Sequence, residues 1–127
     1  MKKQVASVVL PSSGSGIEII TDTLVHYSMP ILTDGLKEKM INLEAVAPPV
    51  PGLPNLVVWV EVSSWNSTGG FALLGAPIVI VNIPVGDVQM RAIPWTAEAK
   101  WARLALQIPV AGGAWACLAA FEASYES

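Results

Sequence analysis

The sequence predicts an all-β fold, an antiparallel β-sandwich that is jelly-roll-like, with about eight or nine strands. Apolar runs of five to ten residues recur along the chain, and no long stripe of helical period interrupts them. Ten glycines and ten prolines, helped by Ser, Asn and Asp, bound those runs. Hydrophobic residues make up 53% of the chain and charged residues only 13%, with a mean hydropathy of +0.54, which excludes disorder. At 127 residues and 13.4 kDa the chain holds one domain, residues 1–127, with a single two-layer core.

Residues 4–10 read as the first strand, stopped by Pro11 and the Ser12-Ser13-Gly14-Ser15-Gly16 link. Residues 1–16 are thus an N-terminal strand plus a Ser/Gly linker, suited to act as an assembly arm. Met1-Lys2-Lys3 resembles the basic start of a secretory signal, but the apolar run behind it is too short and broken, so no signal peptide is expected. Residues 17–27 are rich in β-branched side chains and form a second strand that ends before Pro30. After the Asp34-Gly35 turn, Ile41, Leu43 and Ala45 alternate with Asn42 and Glu44 in a strand over 36–47. Pro48, Pro49, Pro51 and Pro54 then make a stiff, extended connection.

Residues 56–63 place Leu56, Val58, Val60 and Val62 on one face and Val57, Trp59, Glu61 and Ser63 on the other, as in a central strand. A polar loop over 64–70 leads to a short strand at 71–74, an apolar run at 77–83 and a strand at 87–93. The next strand, 101–108, sets Leu104, Leu106 and Ile108 against Trp101, Arg103, Ala105 and Gln107. The last sets Trp115, Cys117, Ala119, Phe121 and Tyr125 against Leu118, Glu122, Ser124 and Glu126. Residues 102–121 approach the roughly 20 residues of a membrane helix. Arg103, Gln107, Pro109 and Gly112-Gly113 break that stretch, so a hairpin accounts for it and no membrane span is expected.

Seven Lys plus Arg against ten Asp plus Glu give a net charge of -3, the wrong sign for holding a phosphate backbone, so nucleic acid is not an expected partner. The one cysteine, Cys117, closes no internal disulfide and builds no zinc site. Calcium-loop, His-pair and phosphate-loop motifs do not appear, and no cofactor or metal is expected. The Asn66-Ser67-Thr68 triplet matches a glycosylation acceptor, a pattern that also arises by chance.

A hydrolase would have to use His26, the sole histidine, with Cys117 or a serine as nucleophile and Asp22 or Asp34 as orienter. The plainer reading leaves His26 at a strand end and packs Cys117 as a small hydrophobe, so no enzyme is expected. The acids are scattered rather than paired across a cleft.

Five tryptophans are the unusual inventory. Exposed indoles stack on sugar rings, whereas buried ones fill cores. Trp59 and Trp115 lie mid-strand and read as core or sheet-interface residues. Trp65 and Trp95 fall in expected loops, where they are candidates for a partner or glycan contact, with Asn66, Asp87 or Gln89 as hydrogen-bonding neighbours. A folded monomer of this mass exposes about 6,500 Å², which so few charges cover thinly. Apolar surface must therefore remain, as at interfaces. A homo-oligomer or docking into a larger assembly is expected, with Trp65, Phe71, Ile78, Ile80, Trp95, Trp101 and Arg103 as interface candidates. Pro77, Pro84, Pro94 and Pro109 are placed to block exposed strand edges.

The stretch from Val57 to Ser64 containing Val-Trp-Val-Glu-Val-Ser-Ser, then Gly69-Gly70-Phe71, the Trp101-Ala-Arg-Leu-Ala-Leu-Gln strand, and Trp115 to Glu122 followed by Ala123 resemble small β-sandwich structural proteins of bacteriophage virions. The resemblance covers residues 55–125. It implies a head-decoration, minor-capsid or fibre-type subunit, located in the virion and repeated by symmetry among other virion subunits, and it carries over no individual functional residue. A carbohydrate-binding β-sandwich module using the loop tryptophans is the alternative.

Overall fold

The computed structural model describes residues 2–13, 16–47, 55–81, 88–110 and 113–126, with side chains from Ser7 to Ser124 within those spans. Ten strands are present: β1 (Lys2–Leu10), β2 (Glu18–Ile20), β3 (His26–Tyr27), β4 (Ile31–Leu32), β5 (Glu38–Val46), β6 (Leu56–Ser63), β7 (Ala72–Ile80), β8 (Gln89–Trp95), β9 (Trp101–Gln107) and β10 (Trp115–Glu126). One sheet, which we call sheet A, runs β1-β10-β5-β8, with β2 also on β10. Sheet B runs β3-β9-β6-β7, with β4 also on β9.

β1 pairs with the later part of β10 and β2 with its start, so the two share one row, and β3 and β4 likewise share the row beside β9. The ten strands therefore occupy eight rows. Numbered along the chain, row one pairs with row eight, two with seven, three with six and four with five, all antiparallel. That nesting is a two-stranded ribbon rolled upon itself, the jelly-roll arrangement.

The sequence places the elements with three differences. The run expected over 17–27 is two strands in different sheets, because the chain crosses between layers at Asp22, whose Oδ1 accepts the Leu24 N–H at 3.1 Å. The strands expected at 71–74 and 77–83 are one strand, β7, with a bulge. Val60 pairs with Leu74 and Val58 with Ile78, so Gly75, Ala76 and Pro77 lie opposite Trp59 alone. Gly75 supplies the bend with φ +72°. β4 was not expected at all, as two residues carry no period. Pro77 and Pro94 do lie on β7 and β8, the edge strands, where a missing N–H does least harm. The proline connection over 48–54, Pro84, Asp87, and Gly112 lie outside the described residues.

The core sits between the sheets. Sheet A contributes Ile41, Leu43 and Ala45 from β5, and Trp115, Cys117, Ala119 and Phe121 from β10; sheet B contributes Leu56, Val58 and Val60 from β6, and Ala102, Leu104 and Leu106 from β9. These are the faces the period-two pattern selects. β1 is part of this body: it pairs with β10 along its length, and Val9 and Leu10 are buried.

Lys39 is the exception to the pattern, inward on β5 and only 2% exposed. Its Nζ donates to the carbonyls of Leu36 at 3.1 Å, Lys37 at 3.2 Å and Thr96 at 3.5 Å, which satisfies the ammonium at the end of the sandwich. Burial pulls its pKa below the ordinary lysine value.

Truncating Leu104, fully buried mid-core, is expected to remove about 2–5 kcal/mol of stability in urea unfolding. Leu24→Ala, at an exposed position, is expected to change stability by less than about 0.5 kcal/mol. Equal effects at the two positions would contradict this core.

Candidate functional site

Alternation fixes what each sheet shows outward. On sheet B the outward residues of β9 are Trp101, Arg103, Ala105 and Gln107, and those of β6 are Val57, Trp59, Glu61 and Ser63, opposite one another in register. Tyr27 on β3 is in register with Ala105, and Leu73 on β7 with Glu61.

Arg103 organises this face. Its Nε and Nη2 donate to Glu61 Oε1 at 2.8 and 2.7 Å, and Glu61 Oε2 accepts the Trp59 indole N–H at 2.9 Å. The guanidinium lies 3.8 Å from the centroid of the Tyr27 ring on β3 and 4.1 Å from that of Phe71, the residue ahead of β7, so two aromatic rings pack on it. Only 22% of the Arg103 side chain is exposed, which makes this pair less screened than an ordinary surface bridge.

Trp65 stands beside this cluster and is 79% exposed. Its loop is tied: Ser63 Oγ donates to the Gly69 carbonyl at 2.8 Å and accepts the Trp65 N–H at 3.1 Å. Asn66 Oδ1 accepts from the N–H and Oγ1 of Thr68 and from the N–H of Gly69. Gly70, at φ +72°, closes the loop where a Cβ would meet Trp65 Cγ at 3.3 Å.

Sheet A shows a different chemistry. Val8, Ile19, Leu118, Ala120, Met90 and Ala92 face outward across β1, β2, β10 and β8, and Met90 is 72% exposed. Small residues on β10 and β8 leave a groove of about 480 Å³, floored by the Ala120, Asn42 and Ala92 row and lined by Val8, Leu118 and Met90, with Glu44 as the charged side chain on that face. Further along β5, Met40 and Glu38 line a second depression of about 570 Å³ together with Pro94 and Glu122.

The interface candidates from the sequence separate on these surfaces. Trp65 is exposed, and Phe71, Trp101 and Arg103 lie half-buried on or beside the outer face of sheet B. Ile78 is half-buried and packs on the core. Ile80 is not a surface residue: it alternates inward on edge strand β7 and is fully buried. Trp95 is not in a loop: β8 extends to it, register with Lys39 turns it inward, and it is 9% exposed with its ring centroid 6.0 Å from that of Phe121. Burial removes it as a stacking platform, and its indole N–H has no hydrogen-bond partner among the described residues. Gln89 donates to the Val81 carbonyl at 2.6 Å. Asn66 spends its carbonyl oxygen within its own loop.

Trp59 is likewise on the outer face rather than in the core, whereas Trp115 is fully buried as expected. Sequence reasoning missed Tyr27 and Glu61 as partners of Arg103, and Trp59 as the partner of Glu61; the shared parity of 59, 61 and 103 was the available signal.

His26 meets Asp22 through Nε2 at 2.8 Å and Glu18 through Nδ1 at 3.5 Å. The histidine and the N–H of Leu24 hold the Asp22 carboxyl below its ordinary pKa. Cys117 points into the core instead, and burial pushes its thiol up to about 12. Cys117 and His26 come from different sheets, and Glu18, in register with Cys117, meets the His26 ring.

No family model matches the chain, and no curated protein matches it. Solved structures do. A chain from the structure of infectious bursal disease virus, Gx strain, aligns with a TM-score of 0.55 at 7% identity over 98% of this chain and 33% of that one, so the present chain spans about a third of the viral chain. A family 16 carbohydrate-binding module aligns at 0.53 and 8% identity, covering 88% of this chain and 80% of that one. The N-terminal cellulose-binding domain of Cellulomonas fimi β-1,4-glucanase C aligns at 0.52 and 11% identity, covering 98% and 88%. At these identities the likeness shows the fold: the β-sandwich of the virion resemblance stands, and none of the three structures is a bacteriophage protein.

The Cys117 thiol is expected to stay unreacted with a soluble disulfide reagent at pH 8 in the folded protein and to react fully on unfolding. Rapid stoichiometric labelling of the native protein would contradict its burial.

Proposed function

We propose that the chain is a non-enzymatic structural subunit that associates with copies of itself, as in a virion shell or its decoration. The observation that carries this reading is the outer face of sheet A, where apolar side chains from β1, β10 and β8 surround a shallow groove. Contiguous apolar surface of this kind is what interfaces bury. A two-fold pairing lets the same aliphatic residues of two copies meet. The viral structural neighbour is in keeping with assembly. β1 pairs along β10 at the edge of sheet A, and this reading takes the sheet face as the contact.

A second reading, a glycan-binding module, is favoured by one specific observation: Trp65 is almost fully exposed on a tied loop beside an aromatic cluster. The two carbohydrate-binding neighbours are in keeping with it.

Light scattering is expected to give a mass above 13.4 kDa that rises with concentration. In a Val8→Glu, Met90→Glu double variant, altered at two exposed positions and so similarly stable, the mass is expected to fall toward the monomer. A wild-type monomer even at about 1 mM, where an association of about 4 kcal/mol would be visible, would overturn the proposal.

A further inference from the structure

We infer that the outer face of sheet B binds a neutral pyranose chain stacked on Tyr27 and Trp59, with Trp65 beyond the end of β6 as a further stacking surface; this rests on the second reading above. Tyr27, Ala105 and Trp59 form one line across β3, β9 and β6. With strands about 4.8 Å apart, Tyr27 and Trp59 stand about 10 Å apart, a disaccharide-sized separation. Ala105 between them faces outward yet is fully buried, so its neighbours close over it. The Trp59 N–H bonds Glu61, two residues along its own strand, so the indole runs along the sheet instead of standing off it. The result is a low, ordered aromatic surface.

The next line, Arg103 and Glu61, supplies polar groups at a fixed position. Two rings hold the guanidinium and Glu61 takes its Nε and Nη2 on one side, while its remaining N–H groups have no protein partner among the described residues. A planar donor edge of that kind suits adjacent hydroxyls on a sugar ring. Glu61 cancels the charge of Arg103, and the chain as a whole carries -3, so the site selects a neutral glycan over an acidic one. A pyranose has an apolar C–H face for the rings and a rim of hydroxyls for the edge, and the outer face of sheet B offers both. Trp65 adds a stacking surface whose loop is already ordered, which spares the entropy of fixing it on binding.

The test is titration of the full chain with the hexasaccharides of β-1,4-glucose, β-1,3-glucose, β-1,4-xylose and β-1,4-mannose, and with oligogalacturonate, followed by calorimetry and tryptophan fluorescence. At least one neutral hexasaccharide is expected to bind, with oligogalacturonate inert. Trp65→Ala and Tyr27→Ala are each expected to weaken binding about ten-fold or more, with circular dichroism unchanged. If none of the neutral chains binds, the glycan reading and this site both fall. If one binds equally well to both variants, glycan binding stands and this site is overturned. If oligogalacturonate binds best, the charge argument is wrong.

Discussion

Strand alternation at the centre of each sheet is the constraint on which the remaining structure depends. β9 and β10 are each paired on both sides, so neither can rotate or slip without breaking two ladders. Once Leu104 and Leu106 point into the core, Arg103 must point out; once Trp115, Cys117 and Phe121 point in, Leu118 and Ala120 must point out. A one-residue slip of β10 would expose Trp115 and bury Glu122. The register that builds the core thus also builds both outer surfaces.

Those surfaces differ because the outward residues differ. Sheet A's outer face is aliphatic and small-residued, with a groove between strands, and such a surface gains by being covered. Sheet B's outer face has aromatic rings clamped about an ion pair, with Glu61 joining Arg103 to the Trp59 indole N–H. A chain with so few charges keeps one of its strongest ion pairs on a sheet face rather than in a loop, where side-chain ordering would be lost. The two proposals thus use opposite sides of one sandwich, the assembly contact on sheet A and the ligand on sheet B.

Much of the fold was legible because the long strands carry clear period-two patterns: β5, β6, β9 and β10 could be assigned to faces from residues such as Leu43, Val58, Leu104 and Phe121 alone. What was not legible came from non-local pairing. Trp95 looks like a loop residue after Pro94, yet the ladder with β5 continues through both because β8 is an edge strand. Ile80 looks like part of a run apolar on both faces, but it pairs with Leu56 of β6 and takes that residue's inward face. The Tyr27–Arg103–Phe71 cluster joins β3, β9 and the residue ahead of β7, all distant in sequence, and no spacing rule announces it. Trp65 was legible as an exposed indole because its polar loop is read locally.

The central claim is that the outer face of sheet A is covered in the native assembly. Methyl-labelled protein in the presence of a soluble paramagnetic agent tests it most directly, by comparing the methyls of Val8, Leu118 and Met90 with those of Leu24 and Val110, exposed positions away from that face. Weak broadening of the first group and strong broadening of the second is the expected result. Equal broadening of both groups at assembly concentrations would mean that the face is open to water, and the account of this chain as a self-associating subunit would be wrong.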